Sequence, residues 1–488
     1  MDLLDQDISL SLDLADRQLQ VGHRQGYTAL IDRLNTIIAP HKCLPAELLA
    51  DIFYLTLPYN FQIGIPYRRF NYGTEQVLPL SFGHICSSWR QVALTDHRLW
   101  NRIQICVKHV KPFTRQLLET ILLRSGSAPI EILMIVQDCS FMSVSDTVLP
   151  HAGRISRLHL FADPRGFCSF FCSFSVLGHT RHTLSSLTEV ILTGDHLEIP
   201  DVAIRIFGDH PLLRKLTIDY QPELWKTLRG LHAPFSQLTD LTLNVHSSPP
   251  SILSVLKETV NLVRCHINFC HSSFADDPAF GLVLPHLENL NLFSYSVEIL
   301  IQVLQHMTLP SLRQLYAGDP SIYVAVPDAL PSVVLSLINR SSCHLAHIQM
   351  KGNLWPIIER SHRSLVSIDT ALSALPASMA QRIACRELTL PHLKYLCCTL
   401  DLDTFTDLKN MVDALWLDGE GAHGAAVRRM LCCRCNIASV SSAGGEDFDC
   451  WEEEMKVLLN RLSVNGWVKI RLGDVSYMDE EYDDLLRG

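Results

Sequence analysis

Apolar residues recur along much of the chain in the pattern L-x-x-L-x-L, in which isoleucine, valine or cysteine can replace leucine. From Val190 to Leu315 the middle position recurs at steps of 26, 25, 24, 25 and 25 residues. The units are Ile155/Leu158/Leu160, Leu187/Val190/Leu192, Leu213/Leu216/Ile218, Leu238/Leu241/Leu243, Leu262/Cys265/Ile267 and Leu287/Leu290/Leu292, followed more loosely by Leu312/Leu315/Ala317, Leu345/Ile348/Met350, Leu365/Ile368/Thr370 and Leu393/Leu396/Cys398. Alternating apolar residues predict a short strand with one buried face in each unit.

The segments between these strands carry apolar residues at helical spacing, most clearly at 251–260, 297–306 and 332–339. A strand–helix period near 25 residues lies within the range of leucine-rich repeats. Because no single unit can bury its own apolar face, neighbouring units are expected to stack into an arc with the strands on its concave side. The alternative is a plain α/β sheet with accidental leucine spacing. The predicted fold class is α/β, with an N-terminal helical module followed by a leucine-rich-repeat-like solenoid.

The chain from Leu44 to Ile105 has helical rather than alternating periodicity. Pro45 fits the first turn of a helix, where its missing N–H is not needed. Apolar residues at helical spacing predict one face on each of two helices: Leu48, Leu49, Ile52 and Phe53 on the first, and Ile85, Trp89, Val92 and Ala93 on the second. Two short helices cannot bury this much apolar surface between themselves, so part of it must meet the rest of the chain or another protein.

The ordered set Leu-Pro, Leu-Leu, Ile-Phe, Ile-Cys-x-x-Trp-Arg and Leu-Trp between residues 44 and 100 resembles an F-box of the divergent type found in large fungal families. The resemblance implies a three-helix module that docks on the Skp-family adaptor, and through it on the cullin, of an SCF-type ubiquitin ligase. The implied adaptor-binding module is Leu44, Pro45, Leu48, Leu49, Ile52, Phe53, Ile85, Cys86, Trp89 and Trp100. Pro45 is expected to touch the adaptor, and Trp89 to lie in the core. An aromatic insertion, 58–77, replaces the short link of a compact F-box.

The resemblance also implies that the chain is a non-catalytic substrate receptor that presents a target protein for ubiquitin-dependent degradation. The target would lie on the concave face, at the middle x of each L-x-L. These positions are His159, Ile191, Thr217, Thr242, His266, Asn291, Tyr316 and Gln349. Such a mixed polar and aromatic strip suits protein recognition; the alternative is a solvated surface.

Four domains follow from these patterns. Residues 1–40 form a helix, either packed on the chain or in a short coiled coil, and residues 41–106 form the F-box-like domain. Residues 107–402 form the repeat array, and residues 403–488 form a C-terminal cap with an acidic tail.

The composition and charge of the chain narrow the possible functions and cellular locations of the protein. The net charge of −10 excludes a general nucleic-acid-binding face. No apolar run reaches the length of a membrane span, and the N-terminus is acidic where a signal peptide would be basic. The sixteen cysteines are therefore expected to be reduced thiols in a cytoplasmic or nuclear protein.

Two motifs suggest chemistry without the context that it needs. Residues 419–424 match G-x-G-x-x-G, but the preceding stretch reads as helix rather than strand, and the interpretation is a loop. Cys432, Cys433 and Cys435, with Cys450 downstream, lack the second paired knuckle of a structural zinc site and are interpreted as core thiols. We therefore expect no cofactor, metal or catalytic residue. The rival hypotheses are a non-ligase scaffold whose F-box-like helices only cap the array, and an enzyme with a site near 418–450.

Overall fold

The computed structural model describes residues 44–57, 61–63, 79–107, 112–136, 141–177, 184–194, 210–220, 234–245, 249–269, 281–318, 329–374, 381–383, 385, 387–400 and 430–435. The chain divides into an N-terminal unit ending at Leu133 and a repeat unit beginning at Met134. The predictions for residues 1–40, for the G-x-G-x-x-G stretch, for Cys450 and for the acidic tail lie outside the described residues.

Short helices and strands make up the N-terminal unit. Its helices are α1 (Ala46–Thr56), α2 (Pro79–Phe82), α3 (Ser87–Thr95) and α4 (Pro112–Arg124), with a 3₁₀ turn at His97–Trp100. Its strands are β1 (Phe61–Ile63), β2 (Arg102–Cys106) and the first part of β3 (Ile130–Val136), in which the division between the units falls. The sequence from Ile130 to Val136 predicts a strand, and β3 has these bounds.

Part of the aromatic insertion is a strand, which the sequence pattern did not predict. β1 runs parallel to β2, with Phe61 opposite Ile103 and Ile63 opposite Ile105. Ile103 and Ile105 of β2 are fully buried, so β1 adds a strand beside core residues of the sheet.

Aromatic rings form the core beneath α1. Phe53 is 1% exposed and stacks on Phe82, with ring centroids 4.1 Å apart, while Trp89 meets Phe53 edge-on at 4.8 Å. Trp100 is equally buried, and its Nε1–H donates to the carbonyl oxygen of Ala93 at 2.7 Å. A buried indole needs such a partner, and the bond ties the 3₁₀ turn to the end of α3.

Parallel strands dominate the repeat unit. They are β4 (Ile155–Ala162), β5 (Glu189–Gly194), β6 (Lys215–Tyr220), β7 (Asp240–Val245), β8 (Arg264–Phe269), β10 (Asn289–Ser294), β12 (Gln314–Gly318), β13 (His347–Met350), β14 (Ser367–Ala374), β15 (Tyr395–Leu400) and β16 (Met430–Cys435), each paired in parallel with the next. A separate two-stranded sheet, which was not predicted, pairs β9 (Leu282–Val283) with β11 (Met307–Thr308).

The sequence predicted three of the six helices that the structure describes in the repeat unit. They are α5 (Met142–Val148), α6 (Pro164–Leu177), α7 (Pro249–Glu258), α8 (Val297–Gln305), α9 (Ala329–Ser341) and α10 (Trp355–Ser361). Helices α7, α8 and α9 overlap the segments 251–260, 297–306 and 332–339 that helical spacing predicted, whereas α5, α6 and α10 were not predicted.

Every described position of the L-x-x-L-x-L pattern is buried. From Ile155 to Leu396 none of these side chains is more than 3% exposed, and equivalent positions lie opposite one another on neighbouring strands, as Leu216 does to Leu241. The mixed α/β class and the long parallel sheet of repeats are therefore confirmed. The register follows from burial, because a slip of one residue would turn each apolar set to the other face.

Side chains just before the strands link consecutive repeats. The residue four positions before the middle apolar residue donates to a carbonyl of the preceding repeat: Ser186 to Gly153 at 2.6 Å, Asn261 to Ser236 at 2.8 Å, and Ser311 to Pro285 at 2.6 Å. Gln237 and Ser364 make the equivalent bonds to His210 and Leu345. We call these hydrogen bonds the ladder between repeats. They pair backbone carbonyl groups at turns, where no neighbouring strand supplies a donor.

Candidate functional site

The sequence predicted one apolar face on α1, but the apolar residues of this helix lie on two faces, one buried and one exposed. Leu49, Ala50 and Phe53 are buried, whereas Leu48 is 51% and Ile52 42% exposed. Leu55, one turn further, is 80% exposed. We call Leu44, Leu48, Ile52 and Leu55 the apolar stripe. The spacing of Leu48, Ile52 and Leu55 places them along one side of the helix, away from the buried side chains. Leu44 precedes the helix and is 38% exposed.

The other residues assigned to the adaptor-binding module also divide into exposed and buried side chains. Pro45 is exposed and directly precedes α1, with φ −52°. Ile85 was predicted on the second helix, but it precedes α3 and is 57% exposed. Cys86 caps α3, its Sγ accepting from the Trp89 N–H at 3.5 Å, which keeps Ile85 out of the helix. Trp100 belongs to the core rather than to a surface.

Two arginines hold the exposed side of α1 against the following turn. Arg98 bridges Asp51 at 2.9 Å and Asp96 at 2.8 Å, and hydrogen bonds to both carboxylates raise the pKa of its guanidinium. Arg102 lies over the Tyr54 ring at 4.3 Å and faces Glu131 at 3.7 Å. The helix is thereby anchored beside the apolar stripe, while the stripe itself stays in solvent.

The predicted concave strip is one continuous row across the parallel sheet. His159 lies opposite Ile191, Thr217 opposite Thr242, and His266 opposite Asn291 in register. The same register joins Asn291 to Tyr316 and Tyr316 to Gln349. We call the predicted residues from His159 to Gln349 the central row. They lie between inward-facing apolar residues and therefore share the outward face of the sheet.

Two features of the central row differ from its predicted exposure. Tyr316 was expected to point into solvent but is only 7% exposed. The row also continues past Gln349 to Asp369, which is 1% exposed, and then to Cys397. The alternation within Leu365/Ile368/Thr370 already places Asp369 outward, so the sequence contained the signal.

A second row, which we call the charged row, lies two residues before the central row. Its members alternate in sign along neighbouring strands: Arg157, Glu189, Lys215, Asp240 and Arg264. Arg157 reaches Glu189 at 2.8 Å, and Arg264 contacts Asp240. Opposite charges on adjacent strands stabilise each other, so this row neutralises most of its own charge.

A third row lies two residues after the central row and includes Asn244, Asn268 and Phe293. The side-chain oxygens of Asn244, Asn268 and Asn291 are buried without a hydrogen-bond partner. A buried acceptor left unpaired costs about 1–3 kcal/mol. These amides were missed at 244 and 268 because only one outward position per strand was considered.

His159 in the central row has a strongly lowered pKa. Burial lowers its pKa to about 4, and Asp219 opposes the shift only in part. Its Nε2 lies 3.2 Å from the Thr193 hydroxyl, a contact that a neutral ring can make. The ring is therefore neutral at pH 7, and burial lowers the pKa of His347 in the same direction.

The described residues contain no group of three or more His, Cys, Asp or Glu side chains that could hold a metal ion. Cys432, Cys433 and Cys435 lie on β16, with Cys432 opposite Cys397 in register. A shallow depression at the start of β6–β12 is lined partly by Gln237, Asn261 and Ser311, whose amides and hydroxyl serve the ladder between repeats. In the parts of the chain with described helices, none is long and apolar enough to cross a membrane.

A scan against protein-family models and a search of curated proteins each find no match. Among the solved structures, the chain matches a leucine-rich-repeat protein of Leptospira interrogans at 10% sequence identity and a TM-score of 0.31, over 77% of this chain and 91% of that one. A match at this identity and TM-score supports no conclusion about the fold or function of this chain. The repeat architecture therefore rests on the period, burial and register of the chain itself.

Proposed function

We propose that the chain is a substrate receptor of a cullin–RING ubiquitin ligase. In this proposal the apolar stripe binds the Skp-family adaptor and the outward face of the repeat sheet binds a target protein. The resemblance of residues 44–100 to an F-box motivates the first half, and the half-buried central row motivates the second.

The observation that carries the proposal is the apolar stripe. A helix of a monomeric protein normally turns its apolar side chains to the core, and α1 already does so with Leu49 and Phe53. Leu48, Ile52 and Leu55 are an additional set on the other side. Burying a leucine or isoleucine fully is worth about 1.5–3 kcal/mol, so a partner that covers this stripe gains several kcal/mol.

Other residues near the apolar stripe are also compatible with adaptor binding. Pro45 offers no N–H that an apolar partner would leave unpaired. Ile85 adds a further exposed apolar side chain in the same unit. Arg98 is held by Asp51 and Asp96, so it needs no partner from the adaptor.

Co-purification of the full chain with the adaptor tests the proposal. The Leu48→Asp/Ile52→Asp variant should lose adaptor binding while it keeps its circular dichroism spectrum, because both side chains are exposed. Leu123→Asp is the matched control, since Leu123 is a 68% exposed leucine on α4 of the same unit. It should bind as the wild type does.

Failure of the wild-type chain to bind the adaptor would overturn the receptor function. The remaining function would then be that of a protein-interaction scaffold without a ligase. Equal loss in the Leu123→Asp control would also count against the stripe, because it would show a general effect of surface charge.

A further inference from the structure

The depression at the start of β6–β12 crosses the sheet from strand to strand. Arg214 lies at one end of its lining, and Glu288 and Ser311 lie near the other. Backbone N–H groups link the residues of this edge, from Thr239 to the Arg214 carbonyl at 2.9 Å and onward through Val263 to Glu288. Arg214 and Glu288 are therefore three strand spacings, about 14 Å, apart. The turns that lead into these five strands are all described, at 210–214, 234–239, 259–263, 284–288 and 309–313.

Arg214 is held in place by its own turn. Its Nη1 donates to the carbonyl oxygen of Pro211 at 2.8 Å and to that of Leu213 at 3.1 Å. The side chain is exposed, and its Nε and Nη2 make no hydrogen bond or ion pair with any described residue. These two nitrogens form the edge of a guanidinium that binds a carboxylate or a phosphate through two parallel hydrogen bonds. Because the turn already orients the guanidinium, an anion that binds there restricts little further motion.

The charge at this end of the depression is positive. Lys215 follows Arg214 directly, is exposed, and has no ion pair within the described part of the chain. Glu189 and Asp240 flank Lys215 in the charged row, but each of them contacts an arginine on its other side. The row has three cations and two carboxylates, so it keeps one positive charge, and Arg214 adds a second. Asp219 lies four residues beyond Lys215 on β6, roughly 13 Å away along the strand.

The other end of the depression carries no excess charge of either sign. Glu288 and Arg313 are neighbours along the edge, where the Arg313 N–H donates to the Glu288 carbonyl oxygen at 2.8 Å, and their opposite charges offset each other. Between the two ends lies the exposed side chain of Asn261. Its amide nitrogen donates to the Ser236 carbonyl at 2.8 Å, which leaves the amide oxygen to accept from a ligand.

From these observations we propose that the depression binds an extended polypeptide segment through an acidic group at one end. The Nε–Nη2 edge of Arg214 receives the oxyanion, with Lys215 beside it, and the following residues cross β7 and β8 past Asn261. The distance from Arg214 to Glu288 corresponds to about four residues of extended chain. This inference rests on the proposed function, because it names the kind of segment by which the receptor holds its target.

A nucleic acid fits this surface less well than a polypeptide. It carries a phosphate at every nucleotide, and the phosphates beyond the first would meet Glu288 on a chain whose net charge is −10. The oxyanion itself is the shared chemistry of a carboxylate and a phosphorylated side chain, so the experiment has an arm for each.

An array of random six-residue peptides, probed with the purified full chain, tests the inference. The bound peptides should be enriched in Asp or Glu at one position rather than throughout, and binding should weaken as salt is added. Replacing that residue by its amide should cost about tenfold or more in affinity. A second arm with phosphoserine at the same position identifies which oxyanion binds more tightly.

Substitutions of the two cations measure their separate contributions. Arg214→Gln should weaken binding of the best peptide by about tenfold or more. Arg214→Lys keeps the charge but loses the paired N–H groups, and it should cost at least about fivefold. Lys215→Gln should cost about threefold and leave the circular dichroism spectrum unchanged, since this side chain makes no hydrogen bond with a described residue. Arg363→Gln is the matched control, an exposed arginine in the turn before β14, and should stay within about twofold.

Several results would overturn the inference. It is wrong if neutral or basic peptides are preferred, if no peptide binds, or if Arg214→Lys binds as the wild type does. A preference for single-stranded oligonucleotides over every peptide would assign the surface to nucleic acid instead. An equal loss in Arg363→Gln would show a general effect of positive charge rather than a site at Arg214.

The adaptor assay on the same preparations separates the two proposals. The Arg214→Gln and Lys215→Gln variants should bind the adaptor as the wild type does. A chain that binds acidic peptide but not adaptor would overturn the proposed function and keep the peptide site. A chain that binds adaptor but no peptide would overturn the peptide site alone.

Discussion

The N-terminal unit and the repeat unit use apolar residues in different ways. In α1 apolar residues exceed what the core holds, so Leu48, Ile52 and Leu55 stay in solvent opposite the buried Phe53. In the repeats each described position of the L-x-x-L-x-L pattern faces the core, and none of these side chains is more than 3% exposed. The outward surface of the sheet is instead polar and partly paired with itself, as in Arg157 and Glu189.

This difference indicates two kinds of contact. A partner on the apolar stripe would gain mainly from burial of carbon surface, which depends little on salt. A partner on the outward face would gain mainly from polar contacts with the central and charged rows, which added salt weakens where they involve charges. Three experiments of decreasing expected effect break or sharpen this comparison.

The largest effect separates the two faces of α1. Phe53→Ala should destabilise the N-terminal unit by about 3–5 kcal/mol, because it opens a cavity between Phe82 and Trp89. Ile52→Ala, one residue away and exposed, should change stability by about 0.5 kcal/mol or less. Hydrogen exchange of the amides in α1 and α3, followed by mass spectrometry, measures both in the full chain. Similar losses in the two variants would show that Ile52 is core, and the stripe would no longer be an interface.

The second effect concerns the outward face and depends on pH. The pKa of His159 is about 4 in the folded protein, so between pH 6.5 and 4 the unfolded chain binds a proton that the folded chain does not. The free energy of unfolding should therefore decrease as the pH is lowered from 6.5 to 4, by at most about 3 kcal/mol from this residue. His347 contributes with the same sign.

Urea unfolding at pH 7 and pH 5, with His159→Gln as the variant, measures this effect. The variant should lose part of the pH dependence, whereas His286→Gln, at an exposed position, should keep it. An unchanged slope in His159→Gln would mean that the ring is not buried as a neutral group.

The repeat unit could be predicted closely because burial and register constrain each other. Residues 297–306 were predicted as a helix and α8 spans Val297–Gln305, while β3 has its predicted bounds. The ten units agree because each must stack on the next, so an error in one would displace its neighbours. The central row followed from the same alternation.

Other features could not be predicted, for reasons that are local. Helical spacing places Leu48, Leu49, Ile52 and Phe53 on one broad face, but which of them are buried depends on where the rest of the unit packs, as Phe82 and Trp89 do against Phe53. The burial of Tyr316 depends on its neighbours across strands. The unpaired amide oxygens of Asn244, Asn268 and Asn291 depend on distances that no spacing encodes.

The smallest effect tests whether the charged row stabilises the sheet. Arg157 and Glu189 are 2.8 Å apart with side chains 32% and 18% exposed, and such partly exposed pairs contribute about 0.2–1 kcal/mol. A double-mutant cycle with Arg157→Ala, Glu189→Ala and the double variant should give a coupling energy in this range, decreasing with added salt. A coupling above about 2 kcal/mol would mean that the row is part of the structural framework of the sheet. A coupling near zero would mean that the two side chains do not stabilise each other, and both charges would then be available to a partner of the outward face.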